Sequence, residues 1–327
     1  MSIIFGNILI LCFFFSILII HDNISTNAAL NNRPIIGILS QEISPRLNRT
    51  TGGKYKYYIA SSYVKFIEGA GGRVVPIWIG ENETYYRNLL KKLNGVLWPG
   101  GGVYFNNSKG YADAGYKIYR IASEMNNKGD YFPILGICLG FELLTYVAAN
   151  KNEHRIPCYS QSQALPLMFR SDYKESRLFK WAPSHVRHIL KTSNVTINFH
   201  MYCITKEALE RVRLDNTFRI ISQNIDKNGL KFISSLEHVN KPFYGLQFHP
   251  EKNIYEWIDG KNIPHSSNAV MVSQYFANFF VNETRKNNHT FKSPTDEDNS
   301  LIYNYQTFYT GIRGFLYEQV YLFPPIP

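Results

Sequence analysis

Charged residues are few in this chain, and no stretch has the composition of an interdomain linker. Charged residues make up 18% of its 327 residues and hydrophobic residues 45%, a balance that excludes a disordered chain. No Gly/Ser-rich or Pro-rich stretch divides the middle of the sequence, so we predict one domain from residue 30 to residue 327. The net charge of +10 comes from scattered Lys and Arg without a compact basic block, which excludes nucleic acid as a partner. A generally basic surface is the favoured interpretation, and attraction of an anionic substrate is the alternative.

The first 29 residues differ from the rest of the chain. Residues 8–20 are apolar except for Ser16, and this run is shorter than the about 20 residues that a membrane-spanning helix needs. Asn27, Ala28 and Ala29 are small enough for a signal-peptidase site. We therefore predict a cleaved signal peptide over residues 1–29, a secreted protein and no stable membrane anchor. Because no Lys or Arg precedes the apolar run, a retained anchor remains the alternative.

Asparagines of Asn-x-Ser/Thr sequences accept glycans in secreted proteins, so the predicted secretion makes these asparagines of the chain candidate glycosylation sites. We predict glycosylation candidates at Asn48, Asn82, Asn106, Asn194, Asn282 and Asn288.

Cysteine is scarce, with four residues in the whole chain. Cys12 lies in the leader, which leaves Cys138, Cys158 and Cys203 in an oxidising compartment. An odd number means that at least one thiol cannot pair within the chain. Whether Cys158 and Cys203 are bridged or simply buried stays open from the sequence.

Apolar periodicity predicts an α/β fold with a mostly parallel sheet. Strands are predicted at residues 33–39, 73–77, 95–98 and 133–137, and helices between or after them at 85–93, 116–125 and 141–149. A further helix is predicted after the first strand, because Ile59, Tyr63, Phe66, Ile67 and Ala70 recur at helical spacing. Such alternation favours a parallel sheet that is covered on both faces. A β-rich region follows, with strands at 188–190, 219–222, 231–236 and 243–248 that include antiparallel returns, then a helix at 268–281 and a polar loop at 292–300.

Cys138 lies in the sequence Gly-Ile-Cys-Leu-Gly, between an apolar strand and a helical segment. This is the context of a nucleophile elbow, with Cys in place of the usual Ser. The flanking glycines allow a sharp turn and close packing, and the helix amino terminus is expected to favour the thiolate. A structural cysteine in a glycine-flanked turn is the alternative.

His249 is the best candidate for proton transfer to and from this nucleophile. It ends the apolar run 243–248 and precedes Pro250, which places the imidazole at the edge of the sheet. Glu251, two residues later, can orient the ring and complete a Cys-His-Glu triad. A His-x-Glu zinc deaminase would need a Pro-Cys-x-x-Cys motif downstream, and no cysteine follows Cys203. We therefore predict no metal.

Acyl transfer also requires hydrogen-bond donors for the oxyanion. The backbone N–H of Leu139, directly after the nucleophile, is one candidate donor. Gly100 and Gly101, in the glycine run after the strand at 95–98, are the others. A phosphate-binding loop would need a following Gly-Lys-Ser/Thr, which is missing from the sequence.

These motifs resemble those of the class I glutamine amidotransferase-like superfamily, and within it the gamma-glutamyl hydrolase family. The similarity runs from about residue 33 to residue 323, and three segments carry the site motifs: 98–101 (WPGG), 133–142 (PILGICLGFE) and 244–252 (YGLQFHPEK). Further similar segments are 58–65, 197–200, 255–257, 265–270 and 280–289.

The resemblance implies a three-layer α/β/α sandwich that hydrolyses gamma-glutamyl bonds of folylpoly-gamma-glutamate without a cofactor. It also implies a homodimer, a lysosomal or vacuolar location beside secretion, and a substrate-binding role for His200. A glutaminase subunit of a synthetase is disfavoured because no synthetase domain is fused to the chain. The remaining alternatives are another gamma-glutamyl substrate and a non-catalytic binding protein of the same fold.

Overall fold

The computed structural model describes residues 30–325, so the predicted signal peptide lies outside the described residues. In this range the strands are, in chain order, β1 (Ile35–Leu39), β2 (Gln41–Glu42), β3 (Tyr57–Ala60), β4 (Arg73–Ile77), β5 (Gly95–Trp98), β6 (Ile134–Ile137), β7 (Ile156–Leu165), β8 (Met168–Phe169), β9 (Thr196–Cys203), β10 (Phe218–Ile225), β11 (Lys231–His238), β12 (Phe243–Leu246), β13 (Thr307–Tyr309) and β14 (Gln319–Phe323). The α-helices are α1 (Pro45–Thr50), α2 (Ser61–Glu68), α3 (Glu83–Leu90), α4 (Tyr111–Asn127), α5 (Leu139–Ala148), α6 (Arg177–Lys180), α7 (Ser184–Thr192), α8 (Lys206–Arg211), α9 (Lys252–Tyr255), α10 (Ser267–Thr284) and α11 (Pro294–Ser300).

An eight-stranded sheet forms the centre of the fold, in the order β4-β1-β5-β6-β12-β11-β10-β8. The strands from β4 to β12 run parallel, and β11, β10 and β8 continue the sheet antiparallel. The predicted antiparallel return of the late strands is confirmed. The parallel strands are buried on both faces, which explains their nearly continuous apolar sequences.

Helices cover this sheet in two groups. From β1 the chain moves to β4 at one edge of the sheet, and from β4 it moves back across the sheet to β5 and then β6. Because such parallel crossovers are right-handed, the reversal puts α2 on one face of the sheet and α3 and α4 on the opposite face. Helices α3, α4 and α5 contact one another in series, while α2, α7 and α9 each contact α10. The predicted three-layer α/β/α arrangement is confirmed. Among residues 30–325, none of the helices has the length and apolar character that crossing a membrane requires.

Two small sheets flank the central one. The first has the order β13-β14-β3-β2, in which the C-terminal strand β14 pairs with β3. The second joins β7 and β9, and a disulfide between Cys158 and Cys203 links these two strands. Neither sheet was predicted, because each pairs segments that lie far apart in the sequence.

Three local predictions are wrong. The strand predicted at residues 188–190 lies within helix α7, where Val186, Ile189 and Leu190 are buried at helical spacing. Ile59 belongs to strand β3, and helix α2 begins only at Ser61. The loop predicted at residues 292–300 contains helix α11, whose cap is Ser293.

Glycine is required where helix α5 crosses strand β5. A Cβ atom on Gly140 would overlap the backbone carbonyl oxygen of Trp98, which cannot rotate away. We expect Gly140→Ala to lower the free energy of unfolding by about 1–3 kcal/mol through overpacking. Urea unfolding curves test this, with Gly102→Ala as the control because a Cβ on Gly102 meets no atom within 4 Å. Equal stability of the two variants would contradict the packing argument.

Candidate active site

The carboxyl ends of three adjacent parallel strands bring the predicted residues together. Strands β5, β6 and β12 are neighbours in the sheet, and their register pairs Trp98 with Gly136 and Leu246 with Ile137. The glycine run follows β5, Cys138 follows β6, and His249 comes shortly after β12. Ligand sites of parallel α/β sheets lie at this edge of the sheet.

Cys138 adopts the backbone conformation of a nucleophile elbow. Its φ of 53° and ψ of −108° are unusual for a residue with a side chain, and it is the residue that precedes helix α5. Its N–H donates to the carbonyl oxygen of Leu246 at 2.7 Å, which fixes the turn to the end of β12. The side chain is 4% exposed, so the sulfur lies in a nearly closed site.

Gly100 lies between Cys138 and His249. A Cβ atom on Gly100 would be 3.1 Å from Cβ of Cys138 and 2.7 Å from Cε1 of His249. The nucleophile and the imidazole therefore face the same point of the glycine loop, and a side chain at this position would collide with the ring. The predicted proximity of Cys138 and His249 is consistent with this geometry.

His249 is oriented by Glu251. Nδ1 of His249 lies 2.7 Å from Oε1 of Glu251, and both side chains are buried. Because a carboxylate accepts hydrogen bonds, Nδ1 carries the hydrogen and Nε2 is left as the basic nitrogen. The hydroxyl oxygen of Tyr63 lies 3.3 Å from Nδ1 and also accepts a hydrogen bond from the N–H of Gly100 at 2.8 Å.

The electrostatics favour a neutral thiol and a neutral imidazole at rest. Burial raises the pKa of Cys138 well above its ordinary value, Glu142 and Glu251 raise it further, and the Leu139 N–H and the Lys252 charge oppose them. Burial also lowers the pKa of His249, although Glu251 acts in the opposite direction. Burial and the two carboxylates therefore oppose the helix amino terminus, which is expected to favour the thiolate.

Glu142, from the same helix as the elbow, is a buried carboxyl group close to the site. Burial raises its pKa to about 7, while Arg155 and Gln247 lower it. The Arg155 guanidinium donates to Oε2 of Glu142 at 3.1 Å and lies 4.0 Å from the ring centre of Phe105. Nε2 of Gln247 donates to the other carboxyl oxygen at 3.2 Å. This group of side chains joins helix α5 to strand β7 and to the segment after the glycine run.

The candidate oxyanion donors differ in availability. The N–H of Leu139 is close enough to the Cys138 sulfur to lower the pKa of the thiol, and in a nucleophile elbow the same N–H is an oxyanion donor. The N–H of Gly100 is already bonded to Tyr63. Gly101 is packed against the Gln41 side chain, whose amide donates to the carbonyl oxygen of Pro99 at 3.2 Å. Gln41 thereby supports the loop that presents Gly101.

His200 occupies a separate buried position. Its Nε2 lies 3.2 Å from Oδ1 of Asn198, and its Nδ1 lies 3.1 Å from the carbonyl oxygen of Tyr202. Burial lowers its pKa to about 3, with a further lowering from His249. Both ring nitrogens are thus directed at groups of its own strand β9, rather than at the triad. The same strand accepts a hydrogen bond from the His249 N–H through the carbonyl oxygen of Ile197, at 2.9 Å.

The sulfur atoms next to His200 belong to a disulfide. Nδ1 of His200 lies 3.5 Å from each sulfur of the Cys158–Cys203 bridge. These three side chains are spaced closely enough to hold a metal ion, but bridged sulfurs are not thiolates and are poor metal ligands. The pairing question that the sequence left open is answered by this bridge, and Cys138 is the free cysteine of residues 30–325.

Comparison with known proteins shows which family the chain is similar to. Residues 34–251 match the family model described as peptidase C26. The chain is 41% identical over 295 residues to a gamma-glutamyl hydrolase of Rattus norvegicus, covering 90% of each chain. It is 39% identical over 298 residues to that of Homo sapiens, covering 89% of this chain and 90% of the relative. Gamma-glutamyl hydrolase 2 of Arabidopsis thaliana is 35% identical over 300 residues, covering 90% of this chain and 84% of the relative.

The chain belongs to the peptidase C26 family. The predicted resemblance and the predicted cysteine-type hydrolysis are thereby confirmed. A solved glutamine amido transferase of Methylobacillus flagellatus covers 79% of this chain and 97% of its own, at a TM-score of 0.44 and 10% identity, which is too distant to support an argument. The fold assignment rests on the sheet topology and on peptidase C26 membership.

Several residues that surround Cys138 and His249 cannot be identified as part of the site from their spacing in the sequence. Tyr63, Gln41, Phe199 and Lys252 reach the site from four different segments. Tyr63 and Phe199 lie in segments that resemble the family, at 58–65 and 197–200, and that similarity was the available signal. Lys252 directly follows the triad glutamate, but a charged residue after a motif usually lies in solvent.

Proposed function

We propose that the chain hydrolyses the gamma-glutamyl bonds of folylpoly-gamma-glutamates through a triad of Cys138, His249 and Glu251. The position of Gly100 against both Cys138 and His249, with His249 bonded to Glu251 at 2.7 Å, is the observation that carries the proposal. In this arrangement Cys138 is the nucleophile, His249 is the base, and Glu251 orients the imidazole of His249, as in a catalytic triad.

In the first half of the reaction, Nε2 of His249 takes the thiol proton of Cys138 as the sulfur attacks the gamma-carbonyl carbon. The N–H groups of Leu139 and Gly101 stabilise the negative oxygen that forms. As the carbon–nitrogen bond breaks, His249 gives its proton to the departing amine, and a thioester remains on Cys138. Glu251 stabilises the imidazolium between these two proton transfers.

In the second half, water replaces the amine product. His249 removes a proton from water, the resulting hydroxide attacks the thioester, and the Cys138 sulfur leaves and is reprotonated. These steps need neither a metal nor an organic cofactor, because the chain supplies the nucleophile, the base and the oxyanion donors.

We also propose that the protein passes through the secretory pathway to the extracellular space and to the lysosome or vacuole. The Cys158–Cys203 disulfide supports an oxidising compartment. The asparagines of five predicted sequons are exposed, which suits glycosylation, whereas Asn48 is half-buried and is the weakest candidate. The exposed candidates are Asn82, Asn106, Asn194, Asn282 and Asn288.

The organisation proposed for the mature protein is one domain over residues 30–327 in a homodimer. The main hydrophobic core includes residues from Ile35 to Phe323, which supports a single domain, and a second, small cluster holds Leu47, Tyr58, Val320 and Leu322. The homodimer is inferred from the family resemblance, and sedimentation of the purified protein tests it.

Product analysis tests the proposed substrate. The purified mature protein is incubated with a pteroyl poly-gamma-glutamate and with the isomer whose glutamates are joined through alpha-carboxyl groups, and the products are identified by mass spectrometry. We expect glutamate or gamma-linked glutamyl peptides from the first substrate and no cleavage of the second. Cleavage of neither substrate, or equal cleavage of both, would contradict the proposal.

The acid limb of the pH profile should reflect His249. The neutral imidazole is the base, and burial lowers its pKa below the ordinary value of 6.5, so the base stays active in mildly acidic solution. We expect kcat/KM for a gamma-glutamyl substrate to fall only below pH 6.5, with circular dichroism recorded at each pH as the control for unfolding. An acid limb at or above pH 6.5 in the folded enzyme would argue against a buried, neutral base.

A further inference from the structure

Lys252 is a buried lysine beside the triad. It directly follows Glu251, opens helix α9 and is 4% exposed. Its ammonium group donates to the carbonyl oxygen of Leu316 at 3.3 Å. It also lies 4.5 Å from the ring centre of Tyr317 and 5.5 Å from that of Phe199. One carbonyl oxygen and two aromatic rings therefore hold the charge.

This ammonium has no carboxylate in direct contact among residues 30–325, although Glu256 lies within electrostatic reach. The carbonyl oxygen and the two rings that contact the Lys252 nitrogen are neutral. Burying an ammonium is costly unless it is paired, and cation–π contacts offset only part of that cost. A site of this composition is suited to an anion that arrives from outside the protein.

The lysine is also close to the reacting atoms. The Phe199 ring, which it contacts, lies 6.0 Å from the His249 ring, measured between ring centres. Burial dominates the pKa shifts of Cys138 and His249, and the charge of Lys252 makes a smaller contribution to both, so the ammonium lies within electrostatic reach of both groups. An anion bound by Lys252 would therefore lie within electrostatic reach of the reacting groups.

A gamma-glutamyl substrate carries such an anion at that place. The departing glutamate carries an alpha-carboxylate three bonds from the reacting carbon, and the attacked glutamyl residue has its own, four bonds away, which every gamma-glutamyl substrate retains whatever its leaving amine. We propose that the ammonium of Lys252 binds the alpha-carboxylate of the attacked residue and selects glutamyl residues that carry it free. The inference rests on the proposed function, because it assigns a subsite for the same substrate.

The rival role for Lys252 is purely structural. Burial raises the pKa of Glu256 and the Lys252 charge opposes that rise, while Oε2 of Glu256 accepts a hydrogen bond from the N–H of Glu318 at 2.6 Å. Glu251 adds a second nearby carboxyl group, with one oxygen bonded to His249 and the other buried without a partner. If Lys252 only balances these carboxylates, its loss should weaken the enzyme to the same extent for every substrate.

A pair of substrates separates the two roles. The first is pteroyl diglutamate, in which the alpha-carboxylate of the attacked residue is free, and the second is its analogue with a carboxamide at that position. We expect the wild-type enzyme to prefer the carboxylate, since a hydrogen bond to a charged group contributes about 10- to 100-fold in kcat/KM. Lys252→Met should lose that factor on the carboxylate substrate and change by less than about threefold on the carboxamide.

Two further variants keep the test interpretable. Lys252→Arg keeps the charge and should retain part of the preference. Lys65→Met removes a half-buried lysine whose nitrogen donates to Oε1 of Gln319 at 2.7 Å, and it should leave the preference unchanged. Thermal unfolding of each variant identifies any that does not fold.

The outcomes are distinct. Equal losses of Lys252→Met on both substrates would overturn the subsite. A wild-type enzyme without a preference would overturn it as well, even if no Lys252 variant folds. Cleavage of neither compound by the wild type, together with inactivity on longer pteroyl poly-gamma-glutamates, would instead count against the proposed function.

Discussion

Replacing Cys138 by alanine is expected to lower kcat/KM for a gamma-glutamyl substrate by about 10⁴-fold or more, because it removes the atom that forms the thioester. The fold should survive. The substitution deletes one sulfur from a side chain that is 4% exposed, so we expect the free energy of unfolding to change by about 1 kcal/mol. Steady-state kinetics and urea unfolding, measured on the same preparation, test both parts.

Cys138→Ser is the matched control for this substitution. It keeps the volume and the elbow geometry, but a serine hydroxyl ionises far less readily than a thiol. We expect a loss of similar size with unchanged stability, which would separate chemistry from packing. Retention of most activity by the alanine variant would mean that another group attacks the substrate.

His249→Ala is expected to produce the second largest loss, about 10³- to 10⁴-fold in kcat/KM. Without the imidazole, no group takes the proton of a thiol whose pKa is raised by burial, and none protonates the departing amine. Rates measured with a saturating gamma-glutamyl substrate report this directly. Binding should be affected less than turnover, so most of the loss should appear in kcat.

His200→Asn is the comparison for this experiment, because His200 is also a buried histidine. Its ring nitrogens contact Asn198 and Tyr202 rather than the triad, and its strand only supports the His249 backbone. We expect a loss of about tenfold, through altered positioning of strand β9. Equal losses in the two variants would mean that His200 takes part in proton transfer itself.

Features formed by residues that lie close together in the sequence could be predicted. A strand followed by Gly-x-Cys-x-Gly and a helix indicates the elbow at Cys138, because the glycines that permit the turn flank the cysteine in the sequence. The His249–Glu251 contact likewise joins residues two positions apart. Strands β5 and β6 agree with their predicted positions because continuous apolar runs mark buried parallel strands.

Features that depend on distant segments could not be predicted. Tyr63 reaches His249 across 186 residues of sequence, and no periodicity encodes such a contact. The pKa of the Cys138 thiol depends on such distant segments as well. The helix amino terminus is visible in the sequence, whereas burial and the neighbouring carboxylates of Glu142 and Glu251 depend on the tertiary structure.

Short elements were misassigned where two patterns compete. Two apolar residues, Ile189 and Leu190, are too few to distinguish a strand from one turn of a helix. Val186 lies one helical turn earlier and is buried with them, which is the spacing of a helix. Helix α11 is polar throughout, so it lacks an apolar face. Its start was nevertheless encoded, because Ser293 caps the helix, Pro294 is its first residue, and Asp296 and Glu297 lie in its first turn.

Alkylation of the free thiol is the most direct measurement of the central claim that Cys138 carries gamma-glutamyl hydrolysis. Cys138 is the free cysteine of residues 30–325, since Cys158 and Cys203 are bridged, so a thiol reagent has one target there. The enzyme is treated with increasing iodoacetamide, the modified fraction of Cys138 is determined by peptide mass spectrometry, and hydrolysis of a pteroyl poly-gamma-glutamate is measured on the same samples. We expect the remaining activity to equal the unmodified fraction and to reach zero at complete modification; activity that persists when Cys138 is fully alkylated would contradict the account.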